Sequence, residues 1–289
     1  MTRRHALAAA LAALTAPGAW AQAASEAARE TALARVRRQG RLVVAVYQDL
    51  PPFCSGEPKA PHGIDVDLAG ELAAAVGVPL SLLDFPAGES IGDDLRNAVW
   101  RGHYLGWGPA DVMLHVPMER LLIEAHPQVD VFGPYYRERL MLAWDRERGG
   151  EPPQDAAALR GRRIAVAGQS LAGALLAGAD GGALRETLST RFGDGVNAAR
   201  ALEAGDAEAA AGLASELESV LARTRAARER YALLPLPLAR APRNGWVVGC
   251  AVRRGADDLA RVLQDRLLAM TAGPALRELF ARHGVGWRG

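Results

Sequence analysis

The stretch 95–117, "LRNAVWRGHYLGWGPADVMLHVP", holds the residue types that first suggest chemistry, because His103 and His115 flank a loop rich in glycine and aromatic residues. A metal ion would need further ligands, and His62 and Asp111 are candidates by type. No H-x-x-x-H or Cys/His spacing accompanies them, so the sequence predicts no metal site. There is also no G-x-S-x-G motif or metal-hydrolase motif. We therefore predict a protein without catalytic residues and without a cofactor.

The same stretch is typical of the floor of a binding cleft. Trp100, Tyr104 and Trp107 supply flat apolar surface, and His115 supplies a polar tip. Aromatic side chains serve binding surfaces in this way because a large apolar body is combined with few rotatable bonds. Packing in a hydrophobic core is an equal alternative for Trp100.

The elements that position this stretch alternate between strand and helix. Apolar runs predict strands at "RLVVAVY", "PLSLLDF" and "DVMLHV". Between the first two, Leu68, Leu72 and Val76 recur at helical spacing. Before the third, Ser90 and Asp93 form a capping box that starts a helix reaching Trp100. The order β-α-β-α-β predicts a parallel sheet with right-handed crossovers.

A second α/β unit is predicted after the polar linker "DRERGGEPPQD". Its first strand is "RRIAVAG", which enters a helix at Gln169 and Ser170. An alanine-rich stretch from about Ala198 to Arg223 is interpreted as helical. "YALLPLPL" and the return strand "GWVVGCAV" follow, and two helices close the chain. The sequence thus predicts two small α/β lobes with a cleft between them.

Bulk composition argues against a disordered chain and against a nucleic-acid-binding protein. With 49% hydrophobic and 23% charged residues, the chain is typical of a folded globular protein. The formal net charge is only +1, which does not favour a nucleic-acid partner.

The N-terminus has the pattern of a secretory signal peptide over residues 1–21. Arg3 and Arg4 precede a short apolar run, and the small-x-small sequence Ala19-Trp20-Ala21 follows as a cleavage site. The two arginines are compatible with either a Sec or a twin-arginine signal. No later segment has eighteen uninterrupted apolar residues, so no membrane insertion is expected. We expect the mature protein in the periplasm.

Cys54 and Cys250 are the only cysteines. In an oxidising compartment such a pair could form a disulfide, and two unconnected core residues are the alternative. No CxxC redox or zinc motif is present.

Several motifs in order resemble the family-3 periplasmic solute-binding proteins. They are "LVVAVYQDLPPF", "GIDVDLAGELAAAVGV", "ADVMLHVP…ER…FGPYY" and "GRRIAVAGQSLAG", followed by closing helices at "GCAVRRGADDLARVLQDRLLAM" and "RELFARHGV". The resemblance covers nearly all of the chain after the signal peptide. It implies an α/β, two-lobed periplasmic-binding-protein-like fold with a hinge and an interlobe cleft. Lobe 1 would be discontinuous, 39–137 and 246–289, and lobe 2 would be 138–245.

The resemblance also implies where a ligand would bind, because open α/β sheets bind ligands beyond the carboxyl ends of their strands. Arg120 corresponds to an arginine that holds a carboxylate in the family, through a bidentate contact. The turn at Gln169 and Ser170 could bind an anion through backbone N–H groups. The ligand-binding residues implied in this way are Phe53, Met113, His115, Arg120, Tyr136, Gln169 and Ser170.

Standard amino acids are poor ligand candidates. The family binds their ammonium group with a carboxylate in a G-x-x-D-A-x-x-x-D run, but the run here supplies Glu208 and then Leu213, and Tyr47 lies near the place of a further acid. An ammonium group without a partner would be desolvated at a cost of several kcal/mol. The resemblance therefore implies a non-catalytic, ABC-transporter-type binding protein for another small solute, one that could be anionic, with a membrane permease as its partner.

A narrower resemblance gives an alternative. "LRNAVW…ADVMLHVP" and "PYYRERLML" are similar to the solute-binding-like proteins that accompany periplasmic quinoprotein alcohol dehydrogenases, including methanol dehydrogenases. His115 stands where that pattern prefers glycine. This resemblance implies an accessory protein that binds the dehydrogenase or its cytochrome c. Because the fold also has dehydratase relatives, a dehydratase-like enzyme is a third hypothesis.

Overall fold

A computed structural model describes residues 30–57 and 59–289. The chain forms two five-stranded sheets, each covered by helices. The predicted signal peptide, residues 1–21, lies outside the described residues. Among the helices that are described, none combines the length and the apolar character needed to cross a membrane.

Lobe 1 carries the sheet with strand order β2-β1-β3-β10-β4. Its strands are β1 (Leu42–Tyr47), β2 (Leu80–Phe85), β3 (Val112–Pro117), β4 (Val129–Glu138) and β10 (Trp246–Arg253). Its helices are α1 (Ala32–Gln39), α2 (Ile64–Val76), α3 (Ile91–Leu95), the π-helical turn Arg96–Trp100, α4 (Arg120–Ala125), α10 (Asp257–Ala272) and α11 (Ala275–Arg282). β1 pairs in parallel with β2 and β3, whereas β10 is antiparallel to β3 and β4.

The predicted β-α-β-α-β order of this lobe is confirmed. α2 ends at Gly77, whose left-handed backbone (φ 81°) terminates the helix. Ser90 caps α3 by accepting a hydrogen bond from the Asp93 N–H, as predicted. The predicted helix up to Trp100 is present, but its second half is a π-helical turn.

Lobe 2 carries the sheet with strand order β7-β6-β8-β5-β9. Its strands are β5 (Leu140–Asp145), β6 (Ile164–Ala167), β7 (Leu188–Phe192), β8 (Ala209–Leu213) and β9 (Tyr231–Pro235). Its helices are α5 (Arg146–Gly149), α6 (Leu171–Gly178), α7 (Gly195–Ala204), α8 (Ala214–Leu221) and α9 (Arg225–Arg230), with 3-10 turns at Ala157–Leu159, Ala179–Gly182 and Arg185–Thr187.

One local prediction in lobe 2 is wrong. The alanine-rich stretch 198–223 is not continuous helix, because β8 lies between α7 and α8. β8 pairs with both β5 and β6 near the middle of the sheet, and its alanines are fully buried. Tertiary burial of small side chains between two neighbouring strands outweighs the helix propensity of alanine.

The lobes are joined by two crossings, one from β4 to β5 and one from β9 to β10. Glu138, the last residue of β4, is fully buried at the first crossing. Its carboxylate accepts hydrogen bonds from the Ser215 hydroxyl, the Ser215 N–H (3.4 Å) and the Arg139 N–H (2.9 Å). Burial raises the pKa of Glu138. The carboxylate therefore ties the start of α8 to the end of β4.

The C-terminal segment provides a second contact between the lobes. Trp287 donates from its ring N–H to the Tyr135 carbonyl of β4 (2.7 Å). Arg288 forms an ion pair with Glu218 on α8, and the Gly286 N–H donates to the same carboxylate (2.9 Å). The end of lobe 1 is thus bonded to α8 of lobe 2.

The possible disulfide is not formed in the structure, which has the alternative of two unconnected core residues. Cys54 and Cys250 are free thiols, both buried in the hydrophobic core of lobe 1. Burial raises the pKa of Cys54 to about 11 and raises that of Cys250 further. Both cysteines act here as small apolar core residues.

Substituting Gly245, at the second crossing, tests the hinge geometry. Gly245 has φ 62°, and a Cβ there would overlap the Glu138 carbonyl oxygen. Gly161→Ala is the matched control, because Gly161 has φ 73° and open space around a Cβ. The control should lower the free energy of unfolding by about 1–2 kcal/mol through backbone strain alone. Gly245→Ala should lose about 1–3 kcal/mol more. Urea unfolding measures both, and equal losses would contradict the described packing.

Candidate functional site

A cavity of about 460 Å³ lies between the two lobes. This volume is within the range of roughly 300–1,000 Å³ that is typical of small-molecule sites. Both lobes contribute to its walls. The lining residues are Pro51, Pro52, Ser55, His62, Gly63, Ala281, Arg282, His283 and Gly284 from lobe 1, and Val196, Arg200, Ser219 and Arg223 from lobe 2. We call this space the interlobe cavity.

The interlobe cavity has a cationic lining. It contains three arginines, Arg200, Arg223 and Arg282, and two histidines, His62 and His283, but no aspartate or glutamate. Guanidinium groups present planar sets of donors that match carboxylate and phosphate oxygens. An anion is therefore the ligand charge that this lining favours.

Two neighbouring helices of lobe 2 position its arginines. Val196 and Arg200 lie one turn apart on α7, and Ser219 is followed one turn later by Arg223 just beyond the end of α8. α7 starts where Asp194 accepts a hydrogen bond from the Asn197 N–H (2.7 Å). Because α7 and α8 pack against each other, both arginines face the same space.

These two arginines have no carboxylate partner among the residues that the structure describes. Each guanidinium group contacts the oxygen of a neutral group. Arg200 donates to the Asn197 side-chain oxygen (3.5 Å), and Arg223 donates to the Ser219 carbonyl. Both side chains are exposed to the solvent of the cavity.

A buried carboxylate lies at the base of the lobe-2 wall. Glu216 accepts hydrogen bonds from the Leu213 N–H (2.8 Å) and from the Gly195 N–H (2.9 Å). Burial raises the pKa of Glu216 to about 7. Leu213 stands at the position where the family's sequence run has its second acid. The nearby carboxylate is that of Glu216, which accepts a hydrogen bond from the Leu213 N–H. Glu208 is turned away to bond Arg162 (3.0 Å).

Three of the residues predicted to bind ligand lie in the core. Phe53 and Tyr136 are buried in the main core of lobe 1, and Met113 is buried under α3. The Tyr136 hydroxyl accepts a hydrogen bond from Arg288 (3.0 Å), and burial raises the pKa of Tyr136. None of the three lines the interlobe cavity.

His115 lies at the end of β3 in a buried polar network. Its N–H donates to the Tyr135 hydroxyl (3.0 Å), which donates to Asp65 (2.8 Å), and its Nδ1 lies 3.2 Å from the other Asp65 oxygen. Its ring packs edge-on against Phe53, with centroids 4.2 Å apart. The backbone φ of His115 is 61°, in the left-handed region. Glycine would adopt this backbone conformation without steric cost.

The remaining predicted residues lie on the surface away from the interlobe cavity. Arg120 is 84% exposed and faces Glu124 on the same short helix (3.6 Å). Gln169 is exposed, and Ser170 caps α6 by accepting from the Gly173 N–H (3.1 Å). The predicted set is therefore not brought together around one space.

The aromatic loop before β3 contributes no residue to the lining of the interlobe cavity. Tyr104 is 88% and Leu105 is 71% exposed. The ring of His103 stacks on Trp107 with centroids 4.4 Å apart, and Trp107 packs on Phe85 (5.7 Å). The loop thus presents an ordered apolar tip to solvent. Among the described residues, no group of three or more His, Cys, Asp or Glu is arranged to hold a metal ion.

Comparison with known proteins identifies the fold. No protein-family model and no curated protein matches the chain. Among solved structures, an ancestral cationic amino acid solute-binding protein is 17% identical with a TM-score of 0.66, covering 88% of this chain and 100% of that chain. An amino acid ABC transporter substrate-binding protein from Streptococcus pneumoniae, bound to L-arginine, is 20% identical with a TM-score of 0.57, covering 88% and 98%.

A third structure is of an ancestral amino-acid-binding protein described as a precursor of cyclohexadienyl dehydratase. It is 17% identical with a TM-score of 0.55, covering 88% of this chain and 100% of that chain. At these identities the likeness establishes the fold, and the predicted two-lobed periplasmic-binding-protein architecture is confirmed.

The titration of Glu216 predicts a pH dependence of stability. Its pKa is about 7 in the folded protein and near 4.5 when unperturbed. Between these values the folded state holds a proton that the unfolded chain releases, so the free energy of unfolding falls as the pH rises from about 4.5 to about 7. Glu216→Gln should flatten this fall, and the exposed Glu203→Gln should not. Urea unfolding at a series of pH values measures the slopes; equal slopes for wild type and Glu216→Gln would contradict the assignment.

Proposed function

We propose that the chain is a non-catalytic periplasmic solute-binding protein of ABC-transporter type that closes its two lobes around a small anion in the interlobe cavity. The observation that carries the proposal is the lining of that cavity, which has three arginines and no carboxylate. A membrane permease would be the partner that receives the solute. The expected signal peptide supports the periplasmic location.

Because both lobes contribute residues to the lining, a bound solute would draw the lobes together by hinge motion. A solute held by Arg200 and Arg223 of lobe 2 would also contact Arg282 and the Pro51-Pro52 loop of lobe 1. Binding would therefore favour the conformation in which both walls are close together. The two crossings between the lobes, from β4 to β5 and from β9 to β10, would act as the hinge for this motion.

The charge of the cavity separates this chain from the arginine-bound structure that it resembles. A cationic solute would meet like charges from the lining arginines, and two like charges in proximity repel. A zwitterionic amino acid would find no carboxylate in the lining for its ammonium group. The proposed ligand class is for this reason a carboxylate or phosphate compound without an ammonium group.

A partner-protein function is a second candidate, and the aromatic loop favours it. Tyr104 and Leu105 are exposed on an ordered tip, and aromatic side chains are enriched at binding hot spots. The partner would be a periplasmic quinoprotein dehydrogenase or its cytochrome c. Binding of either purified protein that is lost in Tyr104→Ala, with an unchanged melting temperature, would support this candidate.

A dehydratase-like enzyme is the third candidate. His62 and His283 line the interlobe cavity, and histidine is the side chain that enzymes use most often as a general acid or base. Ser55 lies 3.4 Å from the His62 ring. Turnover of a bound anion, lost in His62→Gln or His283→Gln, would favour the enzyme over the carrier.

Calorimetry with the wild-type protein tests the leading proposal. Succinate or inorganic phosphate should bind, and the twenty α-amino acids should bind weakly or not at all. Both arginines are exposed, where an ion pair contributes at most about 1 kcal/mol. Arg200→Gln and Arg223→Gln should therefore each weaken the binding by about three- to fivefold.

Arg191→Gln is the matched control, since Arg191 is an exposed arginine of lobe 2 that faces Asp206 (3.8 Å) outside the interlobe cavity. It should leave the affinity unchanged. Micromolar binding of an amino acid, or equal effects of all three substitutions, would contradict the proposal.

A further inference from the structure

The lobe-1 wall of the interlobe cavity has its own counter-ion. Asp67, in the first turn of α2, lies behind the lining residues. Its Oδ2 accepts a hydrogen bond from the Arg282 guanidinium (3.1 Å) and lies 3.0 Å from Nε2 of His283. One carboxylate therefore contacts both Arg282, the last residue of α11, and His283, which follows it. On this wall the positive charge is compensated within the protein.

The lobe-2 wall differs in this respect. Arg200 and Arg223 form no ion pair with another described residue. The acidic residues of the adjacent helix α8 are already engaged, since Glu216 accepts from two backbone N–H groups and Glu218 is paired with Arg288. Neither acid lines the interlobe cavity. Two positive charges are left on this wall for a ligand to neutralise.

We infer that the interlobe cavity selects a small dianion, with its two negative charges on Arg200 and Arg223, and that Asp67 sets this charge by neutralising the Arg282 side of the cavity. The inference rests on the proposed function and specifies its ligand class. A monoanion leaves one guanidinium of lobe 2 without a counter-charge. A trianion places its third charge toward the wall that Asp67 already compensates.

The size of the expected selectivity follows from the exposure of the charges. The arginines and Asp67 are partly open to solvent, where a single ion pair contributes at most about 1 kcal/mol. The preference of the protein for a dianion over a trianion should therefore be several-fold rather than thousand-fold. It should weaken as the salt concentration rises, because salt screens exposed charges.

A charge series with the wild-type protein tests the inference without any substitution. Butyrate, succinate and tricarballylate have similar carbon skeletons and carry one, two and three carboxylates. Calorimetry at pH 7.5 and low salt should give the tightest binding for succinate. Tightest binding of tricarballylate or butyrate would overturn the inference.

Removing the charge of Asp67 tests its role directly. Asp67→Asn frees Arg282 and His283, so the affinity for tricarballylate relative to succinate should rise by about three- to fivefold. Glu71→Gln is the matched control, because it removes one negative charge from the same helix, where Glu71 pairs with Arg266 outside the cavity. The control should leave the ratio unchanged. A change of the same size in both variants would overturn the role of Asp67.

The outcomes distinguish this inference from the function on which it rests. If the wild type binds none of the three carboxylates and no phosphate, both fail. If it binds them through Arg200 and Arg223 but the ratio does not change in Asp67→Asn, only the inference about Asp67 fails. Melting curves of the two variants check folding, and the charge series on the wild type is decisive if Asp67→Asn does not fold.

Discussion

The buried carboxylate of Glu138 is the constraint on which the geometry of the site depends. A carboxylate removed from water must be satisfied by hydrogen bonds, and here its donors are the Ser215 hydroxyl and the N–H groups of Ser215 and Arg139. Because Ser215 belongs to the first turn of α8, these bonds fix that helix against the end of β4. The orientation of α8 in turn places Ser219 and Arg223 over the interlobe cavity.

The rest of the site follows from this arrangement. α7 packs beside α8 and adds Arg200, while the end of α11 brings Arg282 from the other lobe. The two walls differ in their electrostatics. Asp67 pairs with Arg282 of lobe 1, whereas Arg200 and Arg223 of lobe 2 have no carboxylate partner among the described residues.

Local sequence patterns predict the fold, but they do not predict which residues line the interlobe cavity. The strand and helix order of lobe 1 and the Ser90 cap depend on local patterns, which the structure preserves. Phe53 and Tyr136 were expected in the cleft because strand ends usually face it, but aromatic packing draws both into the core. The arginines of lobe 2 gave no signal, since arginines spaced along a helix are typical of any solvated face. Only the fold shows that Arg200 and Arg223 face the other lobe.

A crystal structure of the protein with succinate tests the proposed binding site most directly. We expect closed lobes, with one succinate carboxylate on Arg200 and the other on Arg223, and with Asp67 still paired to Arg282. Succinate bound instead at Arg120 or at the Gln169 turn, with the interlobe cavity free of it, would contradict the proposed site.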